Sequence, residues 1–168
     1  MKMKKALFNE SNVPRGGTCL SSFLVLKSDG KILVGKMTRP EIWIEKFLVG
    51  EMFAEKYAKS GKWVLPASHL LYGEHPLDAA RRVLSDQLAV KDKLELSLTQ
   101  VQSHLSQDPK DPDVAHWDVC FVYGGEIHQT ISRPAWYASL ELLDPLAISK
   151  DDFTRGHGDV LEQLGLIK

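Results

Sequence analysis

"WVLPASHLLYGEHPLDAARRVLSDQLAV", residues 63–90, is the stretch whose reading decides the fold. Lys62–Leu65 reads as a short strand, Pro66–His75 as a loop, and Pro76–Leu88 as a helix. Pro76 suits the first helical position because its missing N–H is not needed there, with His75 in the cap position. Asp78 in the first turn complements the helix dipole. At about 100° per residue, Leu77, Ala80, Leu84 and Leu88 share an apolar face, while Asp78, Arg82, Ser85 and Asp86 gather opposite. Ala79, Val83 and Gln87 form a flank between the two. Arg82 lies four residues from both Asp78 and Asp86, so a carboxylate–guanidinium ladder is expected along the polar side, worth ~0.2–0.5 kcal/mol per exposed pair.

Working outward, "TCLSSFLVLKSDGKILVGKM" (18–37) gives two β-rich runs joined at Ser28-Asp29-Gly30, a hairpin signature. Residues 38–61 form an amphipathic excursion: Thr38-Arg39-Pro40 breaks the strand, Val49, Met52, Phe53 and Tyr57 follow at helical spacing, and Ser60-Gly61 ends it. Its stripe is expected to pack on the domain, with a lid or a dimer contact as the alternative. Downstream, "KLELSLTQVQSHL" (93–105) alternates as a strand, and "SQDPKDPD" (106–113) reads as an acidic loop. "VAHWDVCFVYGGEIHQTI" (114–131) reads as a long strand, a turn at Gly124-Gly125 and a return strand. A short helix or turn region through "LELLDPLAI" (140–148) and a helix near Asp159–Leu164 follow. Strands on both sides of a helix, with more helix at the end, imply an α/β sandwich on a mixed sheet.

Composition narrows the function classes. A chain of 168 residues is expected to be one domain, 18–168, behind a polar leader at 1–17. Lys and Arg number 21 against 22 Asp and Glu, a formal net charge of -1, so no global field draws the chain to a nucleic-acid polymer or an anionic membrane. Cys19 and Cys120 both sit in apolar, strand-like runs, which argues for buried free thiols in a reducing compartment. No segment has the length of a signal-peptide core or a membrane span, and a cytoplasmic location is expected.

The stretch 63–90 resembles the Nudix box, which runs Gly, five residues, Glu, seven residues, then Arg-Glu-bulky-any-Glu-Glu-any-Gly-bulky, after a Trp-x-x-Pro-Gly-Gly approach. Trp63 and Pro66 fall in the approach, Ser68 at the box glycine, Glu74 at the first glutamate, Arg82 at the arginine, and Leu84 and Val90 at the bulky positions, without a gap. The hairpin at 18–37, the "HWDVCFVY" strand and the C-terminal "RPAWYASLELLDPLAI" and "GDVLEQLGL" also look like that family. The resemblance covers the chain beyond residue 17 and implies a Nudix-like α/β/α sandwich with a mixed β-sheet. It further implies the activity of a MutT-like pyrophosphohydrolase on nucleoside diphosphates linked to another moiety. In that family, helix glutamates hold Mg²⁺ or Mn²⁺ against a diphosphate and prepare water for attack at phosphorus.

The departures decide the functional expectation. The glutamate after the arginine is Val83, the first of the Glu-Glu pair is Asp86, the second is Gln87, the late glycine is Ala89, and the approach glycines are Ala67 and Ser68. Three helix carboxylates become one, and Ala67 and Ser68 disfavour the positive φ that brings a loop carbonyl close to a cation. Glu74 and Asp86 remain as candidate catalytic and metal-binding residues; Arg82, Ser68, Gln87 and Val83 hold structural places in the motif. Glu51, Glu55, Asp78, Asp108, Asp111 and Asp113 are possible compensating acids, with a solvated-face role as the simpler reading of each. Trp117, Tyr123 and Trp136 could stack on a base, although aromatic residues on strands more often build core. His69 and His75 read as loop and cap residues.

Weak Mg²⁺ or Mn²⁺ binding, and binding of a nucleotide or other phosphate-bearing small molecule in preference to its turnover, follow as expectations. The alternatives are an active divergent Mg²⁺-dependent pyrophosphohydrolase and a protein-interaction domain with an unused cleft. A homodimer is compatible with either.

Overall fold

The computed structural model describes residues 18–91, 94–108, 111–154 and 156–168, so the leader at 1–17 lies outside the described residues. The elements run β1 (Thr18–Ser28), β2 (Lys31–Met37), α1 (Pro40–Glu45), α2 (Glu51–Ser60), β3 (Ala67–His69) and α3 (Pro76–Arg82), which continues as a π-helical turn (Val83–Gln87). They continue with β4 (Ser97–Asp108), β5 (Asp111–Glu126), β6 (Tyr137–Leu143), 3₁₀ turns at Pro145–Ala147 and Lys150–Asp152, and α4 (His157–Gln163). Strand order is β4-β5-β1-β2-β6, with β3 also paired to β1. The sheet is mixed, because β1 and β5 run parallel over ten residue pairs while the other pairings are antiparallel.

Alternation along the central strand divides two cores. Leu24 and Leu26 face Trp43, Phe47, Ala54, Ala80, Val83, Leu84 and Leu88. Phe23 and Val25 face the opposite way, against Cys120, Val122, Phe153, Val160 and Leu161. Helices thus cover both faces, the arrangement in which a strand of a parallel pair reads as a continuous apolar run rather than an alternating one. The expected α/β/α sandwich on a mixed sheet is the observed architecture.

The hairpin turn is as read: Asp29 at φ 49 and Gly30 at φ 76 make the left-handed pair that matches strand twist. Only Lys27↔Ile32 and Ser28↔Lys31 zip β1 to β2, however. Beyond them the strands part, and the segment after α2 enters the gap. Gly35 N–H donates to the Val64 carbonyl at 3.0 Å, Val64 N–H to the Gly35 carbonyl at 2.8 Å, and Leu24 N–H to the Pro66 carbonyl at 2.9 Å. The strand expected at Lys62–Leu65 is therefore reduced to single bridges at Trp63 and Val64. Pro66 has no N–H with which to extend the ladder, and the regular strand is Ala67–His69, read from sequence as loop, paired with Ser21–Phe23.

Three further readings change. No turn forms at Gly124-Gly125: β5 continues through them in register with Val25 and Leu26, and Ile127 N–H donates to the Lys27 carbonyl at 2.7 Å. These glycines serve close approach, since a Cβ on Gly124 would lie 2.8 Å from Thr99 Oγ1 and one on Gly125 3.1 Å from the Glu95 carbonyl. The expected acidic loop at 106–113 is the end of a β4–β5 hairpin, with Asp108 opposite Asp111; the side chains of Asp108, Asp111 and Asp113 lie outside the described residues. "LELL" of 140–143 belongs to β6, on the edge beside β2, so the helical turn expected at 140–148 is confined to Pro145–Ala147. The 38–61 excursion is helical as expected, in two pieces, α1 and α2, with Val49 in the connection.

Cys19 and Cys120 are buried thiols outside any disulfide, as expected. Burial pushes the Cys120 thiol up to about 11, which keeps it protonated and unreactive. Among the described residues no helix is long and apolar enough to cross a membrane.

Candidate functional site

The box segment is built around Arg82. Its Nε donates to Glu74 Oε1 and its Nη2 to Glu74 Oε2, each at 2.8 Å. Nη1 reaches Ser68 Oγ at 3.1 Å, and Nη2 also reaches the His69 carbonyl at 2.9 Å. Glu74 Oε2 accepts in addition from Leu71 N–H at 2.8 Å. One guanidinium thus ties together β3, the loop and α3, and both oxygens of Glu74 are committed to this tie. The ladder expected from Arg82 to Asp78 and Asp86 does not form: Asp78 pairs with Arg81 at 3.3 Å on the exposed side, and Asp86 Oδ1 accepts from Ser85 Oγ at 2.9 Å. Helical spacing alone favoured the ladder, but a half-buried bidentate partner outcompetes exposed ones. His75 caps α3 as expected, its Nδ1 accepting from Leu77 N–H at 3.2 Å.

The helix departs from regularity at the motif. Leu88 N–H donates to the Val83 carbonyl five residues back, at 3.2 Å, so the last turn is a π turn, widened by one residue. That turn carries Val83 and Gln87 from the flank into the interior, where they are 1% and 2% exposed. Gln87 Nε2 donates to the Ala67 carbonyl at 2.7 Å. Trp136 Nε1 donates to the Gln87 main-chain carbonyl at 2.8 Å, satisfying a helix-terminal acceptor. Gln87 Oε1 finds no hydrogen-bond partner among the described residues.

Ala89 ends the helix at φ 55, in the left-handed region, and Val90 N–H closes the turn onto the Leu84 carbonyl at 3.0 Å. This is where the box pattern has glycine, so the backbone keeps the conformation although the residue has changed. The Cβ of Ala89 works against that conformation, and Ala89→Gly is expected to stabilise the fold by about 0.5–1 kcal/mol after the extra flexibility of glycine in the unfolded chain is counted. Urea denaturation should show a higher midpoint with an unchanged slope.

Beside Gln87 lies a cavity of about 340 Å³, set where β1 and β2 part. Its apolar wall comes from the excursion, through Trp43, Phe47, Phe53 and Tyr57; Ala67, Ser68, His69 and Gln87 come from the box, and Asp118, His157 and Asp159 from β5 and α4. Glu74 and Asp86, the sequence candidates for chemistry, are not in its lining, and neither are Trp117, Tyr123 or Trp136. Tyr123 is core and Trp117 is half exposed, whereas Trp136 packs against Phe47, with Lys46 over its ring. Sequence reading missed Trp43, Phe47, Asp118 and His157 as lining residues. Phe53 and Tyr57 were legible as a helical stripe, yet that stripe packs as readily on a plain core.

His157 donates nothing at Nδ1, which accepts from Leu65 N–H at 3.0 Å. Its ring meets Phe23 and Tyr57 edge to face at centroid distances of 5.1 and 6.1 Å. Burial pushes its pKa down to about 4, with the Asp159 charge opposing. The imidazole is therefore neutral at pH 7, with its proton on Nε2. Because the unfolded chain takes up that proton near pH 6.5 and the folded chain only near 4, this contribution is fully present above 6.5. It is lost as pH falls toward 4, at up to about 1.4 kcal/mol per pH unit. Denaturation at pH 7, 6 and 5 should show the slope, and His157→Gln should flatten it.

No three His, Cys, Asp or Glu residues among those described stand close enough to hold a metal ion. The acids considered as replacements are dispersed: Glu55 pairs with Lys59 at 3.5 Å, and Glu51 is exposed at the start of α2.

No protein-family model matches the sequence, and no curated protein matches it. Solved structures do match. The Nudix domain of Shewanella oneidensis NrtR, complexed with ADP ribose, aligns at 16% identity over 89% of this chain and 87% of that one, with a TM-score of 0.57. The dihydroneopterin triphosphate pyrophosphohydrolase of E. coli aligns at 14% identity over 86% and 92%, with a TM-score of 0.56. A MutT Nudix hydrolase from Burkholderia pseudomallei aligns at 17% identity over 89% and 99%, with a TM-score of 0.51. At these identities what is shared is the arrangement of the backbone, and by that arrangement this chain has the Nudix fold.

Proposed function

We propose that this chain is a ligand-binding Nudix domain that does not turn over a pyrophosphate, and that its cleft holds a nucleotide-derived small molecule. The hydrogen bond from Gln87 Nε2 to the Ala67 carbonyl carries this reading. In the family resembled, a cation bridges the helix carboxylates and the diphosphate. Here an amide N–H closes helix against loop directly, with no charge to balance. Buried Val83 offers no donor atom, and Glu74 is spent on Arg82. Asp86 is the carboxylate that remains at a box position of the helix, and Mg²⁺ prefers octahedral oxygen ligands. This donor set does not fit Mg²⁺ or Mn²⁺. Glu74 and Arg82 act as positioning residues that hold the loop against α3.

The test is turnover of nucleoside diphosphate sugars, dinucleoside polyphosphates and nucleoside triphosphates with Mg²⁺ or Mn²⁺. Rates at least ~10³-fold below those of an intact box are expected, because a phosphoryl transition state without its cation forfeits several kcal/mol. Brisk metal-dependent release of phosphate or pyrophosphate that Asp86→Ala abolishes would overturn the reading.

A further inference from the structure

The two ends of the sheet are not alike. β6, at one end, carries Glu141 exposed near its middle and runs into Asp144 and Pro145. A charge on an edge strand and a proline just beyond it are ordinary protections against pairing with another chain. β4, at the other end, has neither. It is 12 residues long, and its sequence holds no Lys, Arg, Asp, Glu or Pro from Ser97 to Gln107. Among the described residues it pairs with β5 alone, so the main-chain N–H and C=O groups along its outer edge face away from the sheet with no strand to meet them.

The side chains of β4 favour a partner as well. Leu98 lies opposite Tyr123 and Val101 opposite Phe121, two residues apart on β5, so both stand on the same face of the sheet. The register shift between Leu98 and Gln100 is what brings them to one face. They are 52% and 50% exposed. On the other face Gln102 is buried, its Nε2 donating to the Val160 carbonyl of α4 at 3.2 Å. The strand is thus anchored from one side and bare at its edge, a template held in place before a partner arrives.

We propose that β4 pairs antiparallel with β4 of a second copy of this chain, about a twofold axis near Val101, joining the two sheets into one. Composition selects this occupant. In a twofold contact each strand meets itself, so a charge on it would face its own sign. A strand uncharged from Ser97 to Gln107 meets that condition. Around the axis, Leu98 and Val101 of both copies gather on one face, where aliphatic pairs across the new ladder add to its hydrogen bonds. At ~3.3 Å per residue the strand spans ~40 Å. Main-chain bonds supply most of the affinity in a contact of this kind, so a modest, micromolar dissociation constant is expected. Among the described residues none from β4 lines the cavity, so the contact goes beyond the binding reading and is independent of it.

The experiment is sedimentation velocity of the full chain at pH 8 over roughly 1–200 µM. The expected result is an 18.8 kDa monomer that passes to a species of twice that mass as concentration rises. Val101→Lys and Val101→Glu should each raise the dissociation constant ~10-fold or more, and an equal mixture of the two should restore the dimer, because opposite charges then meet near the axis. Leu142→Lys, on the opposite edge, should leave association unchanged. Amide hydrogen exchange of the unmodified chain gives a readout that needs no substitution: amides within Ser97–Ser103 should exchange more slowly in concentrated than in dilute protein, and those of β6 should not.

A chain that stays monomeric throughout, or a dimer that neither Val101 variant weakens, would overturn the proposal. So would a dimer lost on Leu142→Lys, concentration-dependent protection confined to β6, or association that continues past the dimer, since a twofold contact closes on itself.

Discussion

Gln87→Glu is expected to lower the stability of the folded chain by about 3 kcal/mol at pH 8 in the presence of a chelator, and by much less at pH 5. The substitution is nearly isosteric, so packing changes little. What changes is that the Ala67 carbonyl loses its donor at 2.7 Å and meets a carboxylate oxygen in a site 2% exposed. An unsatisfied buried polar group costs ~1–3 kcal/mol and a buried unpaired charge more. Burial raises the carboxyl pKa of the introduced Glu above its unfolded value. The penalty is therefore absent below the unfolded pKa and grows as pH rises through the folded one; in the protonated form the O–H can replace the lost amide N–H. For a chain of 168 residues, a 3 kcal/mol loss corresponds to a melting shift of roughly 6–12 °C. The difference between variant and parent, measured at both pH values, removes the separate acid sensitivity from His157. Full recovery of the variant in millimolar Mg²⁺ would show that the neighbouring groups can hold a cation after all, against the reading proposed for this cleft.

Arg82→Ala is expected to cost about 3–5 kcal/mol, the largest loss from a single truncation in the box. Arg82 and Glu74 are 15% and 12% exposed, so removing the guanidinium strands a carboxylate with little water to receive it. It also takes a guanidinium donor from Ser68 Oγ and another from the His69 carbonyl, which keeps the longer bond from Ser68 Oγ at 3.2 Å. Glu74→Gln should cost less, because an amide can still accept from Leu71 N–H. The double variant should cost clearly less than the sum of the two, a coupling that a cycle of chemical denaturation curves would measure. If the two losses simply add, the ion pair is not the clamp its geometry describes. Ligand affinity of any soluble Arg82 variant should fall along with stability, since Ser68 and His69 line the cavity.

The fold was legible where local chemistry and long-range packing agree. Asp29-Gly30 can scarcely do anything but turn, and Pro76 with His75 starts a helix wherever it is placed. The sequence spacing of the box identified the architecture because Arg82, Leu84 and Val90 each keep a structural task. Where the readings failed, a distant partner intervened. Gly124-Gly125 looks like a turn until β1 lies beside it, when the missing Cβ atoms serve Thr99 and the carbonyl of Glu95 instead. Likewise 62–65 has the residues of a strand, but its neighbours are two strands drawing apart.

The candidate site was legible only as a deficit. Sequence shows that Val83 and Gln87 are not glutamates; it does not show a π turn carrying them inward, or the Ala67 carbonyl waiting for an amide. His157 carried no signal at all, because its role depends on Leu65, ninety-two residues away in the chain.

The opening between β1 and β2 carries one more implication. The cavity formed there takes its ring-bearing side from a single uninterrupted stretch, α1 to α2, while the polar side belongs to segments that also secure the sheet. Within that stretch Trp43, Phe47 and Ala54 also belong to the core, whereas Phe53 and Tyr57 are only partly enclosed. Phe53 and Tyr57 are thus the positions that drift or design can alter to suit a new guest with the least disturbance to the architecture that receives it.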